Sequence, residues 1–133
     1  MYRQRIGVVF QSRVAIGSRE RCRFQWTSDA AGDVVARVDV DLSGIAESVE
    51  FSNSDAGSET YSVTLIDDLG LDWLLGLGGS KSTAATTRAA FVEATVTSAE
   101  SRPAPLPGSL WLKVDCSASA VRSGIVDIWL RAA

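Results

Sequence analysis

Asp67, Asp68 and Asp72 place three carboxylates within six residues, and hard cations such as calcium bind oxygen donors grouped in this way. The spacing does not match an EF-hand loop, so capping of tight turns is the better account of these aspartates. Gly76-Leu77-Gly78-Gly79-Ser80-Lys81-Ser82-Thr83 has the composition of a phosphate-binding loop. In such a loop the lysine follows a glycine directly and a helix comes next, whereas here Ser80 holds the glycine position and Thr83 to Thr87 are poor helix formers. Nucleotide binding is therefore not expected. Cys22 and Cys116 lack C-x-x-C spacing and no histidine completes a zinc set, which excludes a structural zinc. Each falls on the apolar side of an alternating run and reads as a buried free thiol acting as a small hydrophobe. Absence of histidine also removes the commonest general base and every Ser-His or Cys-His nucleophile pair. A carboxylate pair for glycoside hydrolysis would have to flank a cleft, and nothing in the pattern builds one. The expectation is a protein that is not an enzyme and that carries no cofactor and no metal.

Whatever these residues do, one domain must position them. The chain has 133 residues, 46% hydrophobic and 22% charged, the balance of a single globular domain spanning residues 1–133. The longest uncharged stretch, Pro103 to Leu112, has ten residues and all three prolines, about half of what a membrane-spanning helix needs. The apolar run near the N-terminus is too short for a secretory signal. Net charge is −3 but unevenly distributed: Met1 to Gln25, a basic strand or arm region, carries +5, Trp26 to Asp72 carries −10, and the remainder +2. This split suits head-to-tail contact between copies, or else marks solvated strand faces of opposite sign. Six arginines beside an acidic middle make nucleic acid a poor partner, and no membrane association is expected.

Apolar residues recur with period two almost everywhere, which predicts an all-β chain. Val34 to Leu42, Arg21 to Thr27 and Ile45 to Phe51 alternate most clearly, with Ser43-Gly44 reading as a tight hairpin between the first and last of these. Arg5 to Phe10, Thr60 to Ile66, Ala90 to Thr97, Ser109 to Cys116 and Gly124 to Arg131 bring the count to about eight mostly antiparallel strands, a β-sandwich or small barrel. Asn53 to Ser58 is a loop. Asp67 to Thr87 is a long glycine-rich connection in which Asp72 caps one turn through Trp73-Leu74-Leu75, ended by Gly76. Arg102 to Gly108 is a stiff crossover.

The tryptophans carry the main expectation about contacts. Trp111 alternates against Leu110, Leu112 and Val114, and Ile125 and Trp129 against Val126, Ile128 and Leu130, so two late strands are apolar on both faces. Either a loop such as the Trp73 segment covers these residues or another subunit does, and the interface is favoured. The expected interface set is Trp111, Trp129, Ile125 and Trp73, with Arg3, Arg5 and Arg13 supplying basic charge.

Residues 26–33 (Trp26-Thr27-Ser28-Asp29-Ala30-Ala31-Gly32-Asp33), Tyr61 to Asp72 running into Leu75-Gly76-Leu77-Gly78, Gly108-Ser109-Leu110-Trp111-Leu112 and Gly124-Ile125-Val126-Asp127-Ile128 together resemble a group of short, mostly uncharacterised virion structural proteins of tailed bacteriophages. The resemblance covers residues 26–130 and consists of strand-turn-strand patterns with no catalytic signature. The chain departs from it in the arginine-rich first 25 residues and in the bulk of Trp73, Trp111 and Trp129. It implies a virion-located capsid decoration or cement protein, or a head spike or fibre component, with a neck or tail component as the near alternative. The implied partners are further copies of itself, a trimer being expected, and the major capsid or a neighbouring virion protein. From another class, a carbohydrate-binding β-sandwich for host attachment would use exposed tryptophans as stacking platforms.

Overall fold

Strands with one dry face pair most stably when two sheets close over a shared interior, and the alternating runs are arranged in that way. The computed structural model describes residues 5–39, 45–53, 59–67, 69–74, 76–79, 81–82, 86–90, 109–117 and 120–131. Among these residues are nine strands and no helix: β1 (Val8–Ile16), β2 (Arg19–Thr27), β3 (Asp33–Asp39), β4 (Ile45–Asn53), β5 (Thr60–Ile66), β6 (Lys81–Ser82), β7 (Thr87–Ala90), β8 (Ser109–Cys116) and β9 (Ser123–Arg131). None of the described residues forms a helix long and apolar enough to cross a membrane.

One sheet has the order β1-β2-β9-β4-β7 and the other β3-β8-β5-β6. Every pairing is antiparallel. With β1 set aside, each sheet has four strands, and the chain changes sheet at every connection except β5 to β6. That connectivity is a jelly roll, to which β1 adds an extra outer strand beside β2. The chain is thus an all-β sandwich, as its periodicity indicates.

Several local expectations need correction. β3 and β4 do not pair as the expected hairpin, because β3 pairs with β8 in one sheet and β4 with β9 and β7 in the other; Ser43-Gly44 itself lies outside the described residues. The first strand runs on to Ile16 and folds back through Gly17-Ser18, with Gly17 at φ +64°. The glycine-rich connection contains β6, and β7 begins at Thr87, ahead of the expected Ala90. Residues 91–97 and the Arg102 to Gly108 crossover lie outside the described residues, as does the Asn53 to Ser58 loop apart from Asn53, which ends β4.

The interior is built from the inward face of each strand. Leu110, Leu112 and Val114 of β8 oppose Val38, Ala36 and Val34 of β3, and Leu112, Val114 and Cys116 oppose Leu65, Val63 and Tyr61 of β5. Cys22, Phe24, Trp26, Val49, Phe51, Val126, Ile128 and Leu130 come from the facing sheet, and all of these side chains are buried. At about 1.5–3 kcal/mol for each large apolar side chain, this interior is what holds the two sheets together. Both cysteines are free and buried, and burial pushes the Cys22 thiol up from its ordinary value. Where the chain enters the fold, Ile6 and Val35 exchange two 2.8 Å backbone hydrogen bonds, so the N-terminal residues reach the edge of β3 before turning into β1. The corner is Gly7, at φ +76°, where a Cβ would sit 2.7 Å from the Thr27 carbonyl oxygen.

At one end of the interior the rings of Trp26 and Tyr61 lie 5.6 Å apart at 53°. Among the described residues the indole Nε1 of Trp26 and the phenol oxygen of Tyr61 are buried without a hydrogen-bond partner. Burial, and then the neighbouring Cys116, push the Tyr61 phenol up to about 12. A group whose folded value is raised contributes fully below its unfolded value, about 10 for tyrosine, and that contribution is lost as pH rises toward the folded one. The stability of the fold should therefore fall progressively between pH of about 10 and 12. Tyr61→Phe should raise the alkaline midpoint followed by circular dichroism; an unchanged midpoint would show that this phenol does not limit alkaline stability.

Candidate functional site

The outer face of the five-stranded sheet is where side chains with unused chemistry gather. β9 lies at its centre, and alternation turns Ile125, Asp127 and Trp129 outward because Val126, Ile128 and Leu130 fill the interior. Trp129 stands between Arg21 of β2 and Ser48 of β4. The β4–β9 register slips between Ala46 and Ser48, a bulge that leaves Glu47 as the extra residue. Glu47 accepts a 2.7 Å hydrogen bond from Arg19 Nε in an ion pair. Ile16, Arg19, Glu47, Ser48 and Trp129 line a hollow of about 370 Å³.

One row further along, Asp127 lies between Arg23 and Glu50. Arg23 donates to both of its oxygens, Nε to Oδ1 at 2.8 Å and Nη2 to Oδ2 at 3.0 Å. Asp127 is buried although it is on the outer face. Its hydrogen bonds raise the Arg23 guanidinium further above its ordinary value, with a smaller contribution from Glu50. Ile125 is half-buried between Gln25 and Ser52. At the margin of the face, Val8, Phe10, Val14 and Ile16 of β1 are 48%, 69%, 42% and 44% exposed.

The expected interface residues do not all meet. Trp111 belongs to β8 in the other sheet, so it and Trp129 face opposite sides of the sandwich and form no shared patch. Trp111 is 8% exposed, with the Arg37 guanidinium 5.4 Å from the centre of its ring. Trp73 is an anchor for its own loop: its backbone N–H donates to Leu65 O at 2.8 Å and its indole N–H to Asp67 Oδ2 at 3.1 Å. Arg5 and Arg13 are exposed, the latter on β1 beside the Cys22 thiol. Arg3 lies outside the described residues. The basic front is partly matched within the chain, since Arg19 meets Glu47 and Arg23 meets Asp127.

The aspartates act as turn caps. Asp67 Oδ1 accepts from the N–H groups of Leu69 and Leu71 at 2.9 and 3.0 Å. Its carboxyl is held below the ordinary range chiefly by the Leu71 bond, with the Trp73 bond assisting. Asp72 accepts through Oδ1 from Leu65 and Leu74 and through Oδ2 from Gly76, closing the turn expected there. Asp68 lies outside the described residues. Among those residues, no three His, Cys, Asp or Glu side chains are grouped to hold a metal. Lys81 lies in β6, its ammonium 5.2 Å from the centre of the Phe51 ring, an arrangement unlike that of a phosphate loop.

No protein-family model matches the chain and no curated protein matches it. Among solved structures, it is similar to a cupin domain from Bordetella pertussis Tohama I, with 9% identity and a TM-score of 0.40 over 98% of this chain and all of that one. It is also similar to a chain of infectious bursal disease virus, Gx strain, with 15% identity and a TM-score of 0.32. That match takes in 96% of this chain and 37% of the viral one. The strand order alone identifies the architecture.

Sequence reasoning placed Trp129 and Ile125 on an outer face, with Asp127 beside them and Arg21, Arg23 and Gln25 outward on the neighbouring strand, but missed the β1 row and the bulge at Glu47. The β1 apolar row was available as an alternation from Val8 through Phe10, Ser12 and Val14 to Ile16, masked by Gln11 and Arg13 on the other face. Nothing local signalled the Glu47 bulge.

Proposed function

We propose that this chain is a non-enzymatic structural protein of a tailed-phage virion, a capsid decoration or cement subunit or a head spike or fibre component. It acts through contacts between its own copies and a neighbouring virion protein. The observation that carries this reading is the outer face of the five-stranded sheet, where Trp129 and Ile125 sit at the centre and Phe10, Val14 and Ile16 along the margin. Apolar and aromatic side chains interleaved with arginines on one outer face, Trp129 separated from Val14 by Arg21 and Ile125 from Phe10 by Gln25, are the composition of a protein contact surface. The sandwich interior, by contrast, is packed with aliphatic and aromatic side chains. The sequence resemblance adds the virion location, and a neck or tail position fits the same features.

A second reading has one observation in its favour. The hollow beside Trp129 sets an aromatic ring next to Arg19, Glu47 and Ser48, the mixture of stacking face and polar groups that holds a sugar. Mass spectrometry of purified particles separates the two. The assembly reading expects the wild-type protein in the virion and Trp129→Ala depleted from it at least tenfold, corresponding to the roughly 2 kcal/mol of an interface hot spot. Wild-type protein absent from particles, combined with glycan binding that Trp129→Ala abolishes, would replace it with the sugar-binding reading.

A further inference from the structure

We propose that the outer edge of β1 is a self-pairing surface: two copies join antiparallel about a two-fold axis through Ser12, merging their five-stranded sheets into one. The inference rests on the assembly reading and supplies it with a specific contact.

β1 is the outermost strand of its sheet among the described residues and spans nine residues with no proline. A long, exposed, partly apolar edge of this kind is a template for another strand unless something blunts it. What identifies the occupant as a second copy is the symmetry of the pattern. Along the outer face run Val8, Phe10, Ser12, Val14 and Ile16, four exposed apolar residues placed evenly about one serine. Reversed, the row reads apolar, apolar, serine, apolar, apolar again. With the axis at Ser12, Val8 meets Ile16 of the second copy and Phe10 meets Val14, on both sides of the axis. On the other face Val9 meets Ala15 and Gln11 meets Arg13, so no two arginines oppose one another and all nine residues find a partner.

Other registers do worse. An axis at Arg13 opposes two guanidinium groups, an arrangement that destabilises a strand pair. An axis at Phe10 leaves Val14 and Ile16 without a cross-strand partner, and one at Val14 does the same to Val8 and Phe10. Backbone geometry is consistent with this frame and sets which residues make the ladder. Ile16 and Arg19 flank a two-residue turn and form a hydrogen-bonded pair, so Val14, Ser12, Phe10 and Val8 also direct their backbone groups to β2. Val9, Gln11, Arg13 and Ala15 direct theirs to the outer edge. In the proposed pairing these four make the inter-copy ladder, while the apolar residues fall in the non-hydrogen-bonded pairs, where side chains approach most closely. Repulsion across the seam is reduced because two of the three arginines facing it from β2, Arg19 and Arg23, already meet Glu47 and Asp127; the third, Arg21, stands between Val14 and Trp129.

The decisive experiment uses cysteines introduced singly into the full chain, with mild oxidation read on non-reducing gels, alongside sedimentation of the wild type. Non-hydrogen-bonded antiparallel partners have Cα atoms about 4.5 Å apart, inside the range a disulfide spans. Ser12→Cys should form a covalent dimer at least tenfold faster than Phe10→Cys or Val14→Cys, whereas a mixture of the last two should cross-link with each other. Ala15→Pro removes an N–H aimed at the outer edge while sparing the β1–β2 ladder, and should weaken the wild-type dimer at least tenfold. A wild type that sediments as a monomer at high micromolar concentration overturns the proposal, as does Ser12→Cys cross-linking no faster than Phe10→Cys. Either result would leave the edge to a strand of another protein. Virion incorporation tests the assembly reading separately, so one can fail without the other.

Discussion

Arg23→Ala should destabilise the fold by about 3 kcal/mol, roughly twice the effect of Asp127→Ala, even though both remove the same ion pair. The asymmetry follows from burial. The Asp127 side chain is 4% exposed and that of Arg23 29%. Removing the arginine leaves a buried carboxylate with Glu50 as its cross-strand neighbour on β4, an uncompensated charge beside a like one. Removing the aspartate leaves a guanidinium that water still reaches and that Glu50 already attracts. Replacing both residues by leucine should recover most of the loss, because well-packed apolar side chains of similar size often substitute for a buried pair without penalty. Urea denaturation of the wild type, the two single variants and the double variant measures all of this in one series. Equal losses in the two single variants would show that the burial difference does not govern the pair.

Much of this arrangement could be read from the chain. Period-two alternation marked out β2, β3, β5, β8 and β9 and, for β8 and β9, separated the inward from the outward side chains, because a half-buried strand has no other way to place its apolar side chains. The pairing of strands was not legible. In a jelly roll most neighbours are distant in sequence, and β2 meets β9 across about a hundred residues, so nothing near Arg23 announces Asp127. For the same reason Trp111 and Trp129 looked like partners when they belong to opposite sheets. The Ser43-Gly44 pair misled because a glycine after serine is a turn signal that does not say which strands pair. Asp67 and Asp72 could be recognised as turn caps because their hydrogen bonds are local, reaching no more than seven residues.

Gly124→Ala should cost about 3 kcal/mol, at the upper end of what overpacking a close-packed site produces. Gly124 opposes Trp26 across β2 and β9, and the indole lies directly over it. A Cβ there would sit 2.5 Å from Cζ2, 2.7 Å from Cε2 and 2.9 Å from Nε1, all of them atoms of a rigid ring. The ring cannot swing away, since Trp26 is 1% exposed and is braced by Tyr61 at 5.6 Å. Alanine is otherwise the better strand residue by about 0.5–1 kcal/mol, so a net loss measures the steric conflict less that gain. Gly79→Ala is the control: its Cβ would meet nothing closer than Gly76 O at 3.5 Å, and the change should be neutral or slightly stabilising. Combining Gly124→Ala with Trp26→Phe should cost less than the sum of the two single changes, because the smaller ring vacates the space the new methyl enters. Thermal unfolding of the wild type, the three single variants and the double variant would settle it: additive losses, or a Gly124→Ala variant as stable as the wild type, would mean that the tryptophan has room to yield and that the glycine is not what seats it.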